Sequence, residues 1–151
     1  MAQVNTALNL SLDGESQGQL VTVTDSTADD SDKTITVPDG KIWDIVYLNA
    51  TLVASADVGN RQIRVLVKNA AGTEVYRQNS AAVQVASATE FYHFNPRLGT
   101  VAETVATFHT IPLLTALLPS GFTIQISDSA AIAAAADDLT ISGLVVEYDG
   151  R

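Results

Sequence analysis

Side chains that commonly carry catalysis are scarce in this sequence. Its 151 residues include two histidines, His93 and His109, and no cysteine. The two histidines do not form a His-x-His metal-binding pair. Without cysteine, disulfides and thiolate metal sites are excluded as well. We therefore expect both histidines to be ordinary members of strands.

Carboxylates are plentiful, and three of them bracket an alanine-rich segment: Asp128, Asp137 and Asp138. Carboxylate and backbone oxygens bind hard cations such as Ca²⁺, so these aspartates are the candidate metal ligands. The Asp-x-Asp-x-Asp-Gly order of a calcium loop is missing, and aspartate in loops more often caps the backbone. A glycosidase would need two carboxylates facing each other across a cleft, and no spacing here indicates such a pair. We expect a protein that is not an enzyme, with no cofactor and no metal.

The charge balance narrows the range of partners. Eight Lys and Arg against 17 Asp and Glu give a formal net charge of −9. Phosphate backbones and anionic lipid surfaces repel such a chain, so we expect neither a nucleic-acid nor a membrane partner. Residues 1–32 contain six acidic residues and no Lys or Arg, and so they carry −6 of that charge. The first residues also lack the positive region and apolar core of a secretory signal, which predicts synthesis in a cytoplasm.

Short runs of alternating apolar and polar residues must position these side chains. About nine such runs, with turn signals between them, start at Leu20, Lys33, Ile42, Arg61, Thr73, Thr89, Val101, Phe122 and Leu139. This pattern is typical of a sandwich or barrel, and the long, uneven connections favour a jelly roll. We predict an all-β fold with a single jelly-roll or related antiparallel β-sandwich domain at residues 20–151. Residues 1–19 form an N-terminal arm in this prediction, either a loose terminus or a segment extended on a partner, and Asp25 to Asp32 form an acidic loop.

The run from Ile42 to Val53 is largely apolar in both of its alternating sets, which carry Trp43, Ile45 and Tyr47 on one side and Val46 and Leu48 on the other. Such a strand either lies centrally in a sandwich or meets another subunit on its second face. Trp43 is accordingly predicted to lie in the core or in an interface. The alternative is a carbohydrate-binding surface in which aromatic rings stack on sugar, with Trp43, Tyr47, Tyr76 and Tyr92 as the residues involved.

A corner at Ser55 to Asn60 follows this run and leads into Arg61. Gly59 and Asn60 tolerate positive φ and predict a turn. The planar guanidinium of Arg61 suits a carboxylate on this chain or on a neighbouring one. The simpler interpretation is a surface arginine that keeps the end of a strand soluble.

Several of these elements, in this order, resemble the jelly-roll decoration or cement proteins of tailed-bacteriophage capsids. The similarity runs from Pro38–Trp43 through Ala54–Arg61 to Leu118–Gly121 and Asp137–Leu139, and so covers most of the chain after Thr34. The acidic arm has no counterpart in it.

The resemblance implies a non-enzymatic virion protein that binds the outer surface of a capsid as an oligomer, most simply a trimer, and stabilises it. Its partners would be the major capsid protein and further copies of itself. Interface residues predicted on this basis are Trp43, Asp57, Gly59, Asn60 and Arg61. The competing function is a receptor- or carbohydrate-binding β-sandwich module of a phage tail fibre.

Overall fold

The computed structural model describes residues 3–9, 18–29, 32–81, 83–97, 106–130 and 137–150, with only the backbone described for 3–9. Within these ranges the chain is all-β, as predicted, and its strands form the two sheets of a β-sandwich. No helix in these ranges has the length and apolar character needed to cross a membrane. The strands are β1 Gln3–Asn9, β2 Gln19–Asp29, β3 Lys33–Thr36, β4 Lys41–Val53, β5 Ile63–Lys68, β6 Glu74–Asn79, β7 Thr89–Asn95, β8 Phe108–Pro112, β9 Leu117–Pro119, β10 Thr123–Asp128 and β11 Asp138–Asp149.

The larger sheet has the order β1-β2-β11-β4-β7-β8, with β9 paired to one end of β4. The smaller sheet has the order β3-β10-β5-β6. All pairings are antiparallel except that of β7 with β8, which is parallel. Buried aliphatic and aromatic side chains from both sheets form one core cluster between the layers. The burial of this apolar surface is the main stabilising term of the sandwich.

A β-bulge in β4 accounts for its two apolar faces. The partners of successive β11 residues, Leu144 and Val145, are Tyr47 and Ile45, so Val46 is an extra residue in β4. An extra residue reverses the alternation of every side chain beyond it. The inward side chains are therefore Trp43 and Ile45 before the bulge and Leu48, Ala50 and Leu52 after it, all buried. The prediction of two continuous apolar faces was wrong, because it assumed an unbroken period of two.

The ends of the sequence differ from the prediction in detail. β2 continues through Asp25 to Asp29, where an acidic loop was predicted, because β11 offers pairing partners as far as Asp29. Gln3–Asn9, in the predicted arm, forms β1 and pairs antiparallel with β2 at the edge of the larger sheet. The runs predicted from Arg61 and Thr73 are found as β5 and β6, which pair as an antiparallel hairpin. The start of the run predicted at Val101, residues 101–105, and most of the alanine-rich segment lie outside the described residues.

Candidate functional site

The side chain of Arg61 forms hydrogen bonds that fix the corner at residues 55–60. β4 ends at Val53, and the chain passes through this corner before the backbone of Arg61 pairs with that of Gln84 in an isolated bridge. The Arg61 side chain is fully buried. Its Nη1 donates to the backbone oxygens of Asp57 and Gly59, each at 3.0 Å, and its Nη2 donates to the Ser55 hydroxyl at 2.9 Å. One guanidinium therefore fixes three points of the corner.

The carboxylate that balances this buried charge is Asp137, just before β11. Arg61 Nε donates to its Oδ2 at 2.7 Å and Nη2 donates to its Oδ1 at 3.0 Å, which is a bidentate pair. The backbone N–H of Ser55 also donates to Oδ1, at 2.7 Å. The hydrogen bonds from Arg61 outweigh burial and hold the pKa of Asp137 down to about 2. Asp137 in turn raises the pKa of Arg61, so both groups stay charged near neutral pH. We call Arg61, Asp137 and Ser55 the corner clamp.

The corner presents an apolar tip to solvent. Val58 is 96% exposed, while Asp57 and Asn60 on either side of it are exposed polar residues. Single exposed hydrophobic residues are common on protein surfaces. Here the backbone on both sides of the valine is anchored to a buried arginine, so the tip is held in a defined position.

A second feature is a groove of about 420 Å³ on the outer face of the larger sheet, where β4, β7 and β8 lie side by side. Phe91 and Phe108 occupy paired positions on the parallel strands β7 and β8, and their rings stack with centroids 4.8 Å apart. They remain 38% and 47% exposed. The rest of the groove includes Asn49 and His93, whose side chains are 2.6 Å apart, Oδ1 to Nδ1.

Beneath the groove lies a buried polar network that links β7 and β8 to the loop before β7. The Tyr92 hydroxyl lies 3.0 Å from Gln84 Oε1 and 3.1 Å from Glu90 Oε2. His109 Nε2 lies 2.7 Å from the same Glu90 oxygen, and Gln84 Nε2 donates to the backbone oxygens of Leu52 and Ala88. Burial is the main reason why the pKa of Tyr92 is raised far above its ordinary value. The network positions β7 and β8, and therefore the two phenylalanines on their outer face.

No protein-family model matches this sequence, and no curated protein matches it. The strand arrangement is similar to parts of larger proteins of known structure. One is an exo-β-agarase, with 10% identity, a TM-score of 0.37, and coverage of 99% of this chain and 22% of that one. Another is the VP2 subviral particle of infectious bursal disease virus, at 16% identity and a TM-score of 0.39, covering 97% of this chain and 38% of that one.

A third similar structure contains the CBM22-1 and GH10 modules of the Clostridium thermocellum endo-1,4-β-D-xylanase 10B in complex with xylohexaose. It has 13% identity and a TM-score of 0.30, and the match covers 99% of this chain and 25% of that one. The chain thus spans between about a fifth and two fifths of the length of these three proteins. At TM-scores below 0.4, these likenesses assign neither a family nor a function to the chain.

The predicted interface residues fall into two groups. Asp57, Gly59 and Asn60 lie on the corner, with Asp57 and Asn60 exposed. Trp43 and Arg61 are buried within the chain, so neither side chain offers surface to a partner. Trp43 packs in the core and its Nε1 donates to Glu147 Oε2 at 2.8 Å. Arg61 has its carboxylate partner on its own chain, so its contribution to any interface is the positioning of the corner.

Two of the three candidate metal ligands, Asp128 and Asp137, are engaged with protein groups. Asp128 Oδ1 accepts hydrogen bonds from the backbone N–H groups of Gln62 and Ala130, at 2.8 and 3.0 Å. Asp137 belongs to the corner clamp, and Asp138 begins β11. Among the described residues, which exclude 131–136 between these aspartates, no group of three or more potential ligands is placed to hold a metal ion.

The residues predicted to stack on sugar are also not brought together. Trp43 and Tyr92 are buried, and Tyr76 lies on β6 of the smaller sheet. Tyr92 also lines the groove from its buried side, and the ring of Tyr47 stacks on His93 of the groove. The sequence analysis singled out neither Phe91 nor Phe108. The alternation in β7 contains the missing signal: Tyr92 and Phe94 are buried, and Phe91 and His93 point the other way.

Proposed function

We propose that this chain is a non-enzymatic structural protein of a phage virion, which binds the outer surface of the capsid as a homo-oligomer and stabilises the shell. The observation that carries the proposal is the clamped corner with Val58 at its tip. It adds a preformed contact element to the sequence resemblance with capsid decoration proteins, and it falls at one of the segments on which that resemblance rests.

The corner has the physical properties of a docking element. A loop that must order on binding loses conformational entropy, and prior rigidity removes that loss. The hydrogen bonds from Arg61 to the oxygens of Asp57 and Gly59 supply such rigidity before any partner arrives. An apolar side chain that enters a pocket on the partner then contributes affinity, while polar neighbours form the rim. Val58 serves as the anchor in this proposal, with Asp57 and Asn60 as rim residues.

The charge of the chain supports an outer rather than an inner location. A net charge of −9 disfavours contact with packaged DNA and leaves the outer surface of the shell as the compatible side. In this proposal the protein is made in the host cytoplasm and joins the virion from outside. Its partners are the major capsid protein and further copies of itself, with a trimer as the expected assembly.

Two measurements on the purified chain test the proposal together. Light scattering coupled to size exclusion should give the mass of an oligomer, with three copies of the 15.9 kDa chain expected. Co-sedimentation with capsids assembled without this protein, from the phage that encodes it, should show saturable binding, and the occupied capsids should withstand higher temperature. A monomer that does not bind these capsids would refute the proposal.

A further inference from the structure

The groove on the outer face of the larger sheet has no role in the capsid contact described above. It is formed by side chains from β4, β7 and β8, whereas the corner comprises residues 55–60. Its volume of about 420 Å³ falls within the ~300–1,000 Å³ range of small-molecule sites. The chemistry of its lining therefore indicates what it would bind.

The aromatic part of the groove is a stacked pair of rings set by strand pairing. Because β7 and β8 are parallel and Phe91 pairs with Phe108, the two rings face each other with centroids 4.8 Å apart and an interplanar angle of 18°. Both residues still keep more than a third of their surface in contact with water, and exposed aromatic surface of this kind commonly marks binding sites. A ligand with an apolar face can contact the ring surface that the stack leaves open.

The polar part of the groove has a fixed arrangement of donors and acceptors. Asn49 Oδ1 can only accept, so the His93 nitrogen 2.6 Å away, Nδ1, carries the proton and donates. When the ring is neutral with this proton on Nδ1, His93 Nε2 has a lone pair and can accept, while Asn49 Nδ2 has two N–H donors. The ring of Tyr47, stacked on His93 with centroids 5.6 Å apart, holds the imidazole in this orientation.

The described lining of the groove has no unpaired charge. Its side chains include no Asp, Glu, Lys or Arg, and His109, at its inner side, is paired with Glu90. A cation would find no free carboxylate there, and an anion would be repelled by a chain of net charge −9. The groove thus suits a neutral ligand that combines a flat C–H face with hydroxyl groups that both donate and accept.

We infer that this groove binds a neutral saccharide, with the C–H face of a sugar ring against the exposed surface of the Phe91 and Phe108 stack and its hydroxyls on Asn49 and His93. The inference is independent of the capsid proposal, because it concerns other residues and another ligand.

The test is isothermal titration of the purified chain with a panel of neutral oligosaccharides: xylo-, cello-, malto-, agaro- and chito-oligosaccharides. An oligogalacturonate serves as the charged comparison. At least one neutral oligosaccharide should bind, and the oligogalacturonate should not. No binding across the neutral panel, or binding of the oligogalacturonate alone, would overturn the inference.

Three variants then assign the contacts. Phe108→Ala removes one ring of the stacked pair and should weaken binding at least tenfold. Asn49→Leu keeps the approximate size of the side chain but removes its donors, and it should weaken binding to a similar extent. Leu117→Ala is the matched control, because Leu117 is equally an exposed hydrophobic residue of the larger sheet but does not line the groove, and it should bind as the unmodified chain does.

Thermal unfolding of each variant shows whether the fold is retained. If Phe108→Ala abolishes binding in a folded protein but Asn49→Leu has no effect, the groove is an apolar docking surface rather than a saccharide site. That result would also overturn the inference.

Discussion

Replacing Arg61 with methionine should strongly destabilise the fold, because it removes one partner of a buried ion pair. The arginine is fully buried, the Asp137 side chain is nearly so, and two hydrogen bonds of 2.7 and 3.0 Å join them. In the variant, Asp137 would keep its charge with only the Ser55 groups nearby. Breaking a buried pair in this way costs about 3–5 kcal/mol. For a chain of this length, each kcal/mol lowers Tm by about 2–4 °C, so a fall of about 6–20 °C is expected.

Denaturant unfolding monitored by circular dichroism measures this difference directly. The matched control is Arg97→Met, since Arg97 also forms an ion pair, with Asp44 at 2.9 Å, but is 58% exposed. Exposed pairs contribute about 0–1 kcal/mol, so the control should change stability little.

A double variant completes the comparison. Arg61→Met combined with Asp137→Leu leaves no buried charge behind, and it should be more stable than Arg61→Met alone. If Arg61→Met cost no more than the Arg97 control, or if the double variant were less stable than the single one, the role assigned to the corner clamp would be refuted.

Three further predictions follow from the described contacts. Asp137 has a pKa of about 2 in the folded chain, against an ordinary 3.8. Its charged form therefore adds about 2 kcal/mol to the free energy of unfolding above pH 4, and this contribution is lost as the pH falls towards 2. In urea titrations, the Asp137→Asn variant should lack this part of the pH dependence. Tyr92→Phe removes the hydroxyl from the buried Gln84 oxygen and should lower the free energy of unfolding by about 1–3 kcal/mol without loss of secondary structure. Gly143→Ala would place a Cβ 2.8 Å from the backbone oxygen of Tyr47, so β11 and β4 would have to move apart. Calorimetry should show that this variant lowers the free energy of unfolding by about 1–3 kcal/mol.

The sequence predicted the all-β class and most strands, because alternation and turn residues are local signals. β3, β5, β6, β7 and β10 each lie within one or two residues of a predicted run. The parallel pairing of β7 with β8 and the order of strands in each sheet could not be predicted, because they depend on contacts between distant residues. The bulge at Val46 is likewise set by pairing with β11, and the apolar residues in both alternating sets of β4 fit an unbroken central strand as well as a bulged one.

The local parts of the corner could be read from the sequence, and its distant partner could not. The turn at Gly59 and Asn60 was visible as a local signal, and the sequence indicated that Arg61 suits a carboxylate. The identity of that carboxylate was not visible, since Asp137 lies 76 residues further along the chain. For the same reason the sequence placed Arg61 at a surface, whereas the pairing allows it to be buried. The groove was missed because its two phenylalanines come from strands whose adjacency no local pattern reveals.

Capsid binding by a Val58→Asp variant tests the central claim most directly, since the clamped corner is proposed to dock through that side chain. The control is Val75→Asp, which changes another exposed valine, on β6 of the smaller sheet. Full burial of a valine is worth about 1.5–3 kcal/mol, so co-sedimentation should show affinity for capsids reduced at least tenfold by Val58→Asp and unchanged by Val75→Asp. Equal affinity of Val58→Asp and the unmodified chain would contradict the account.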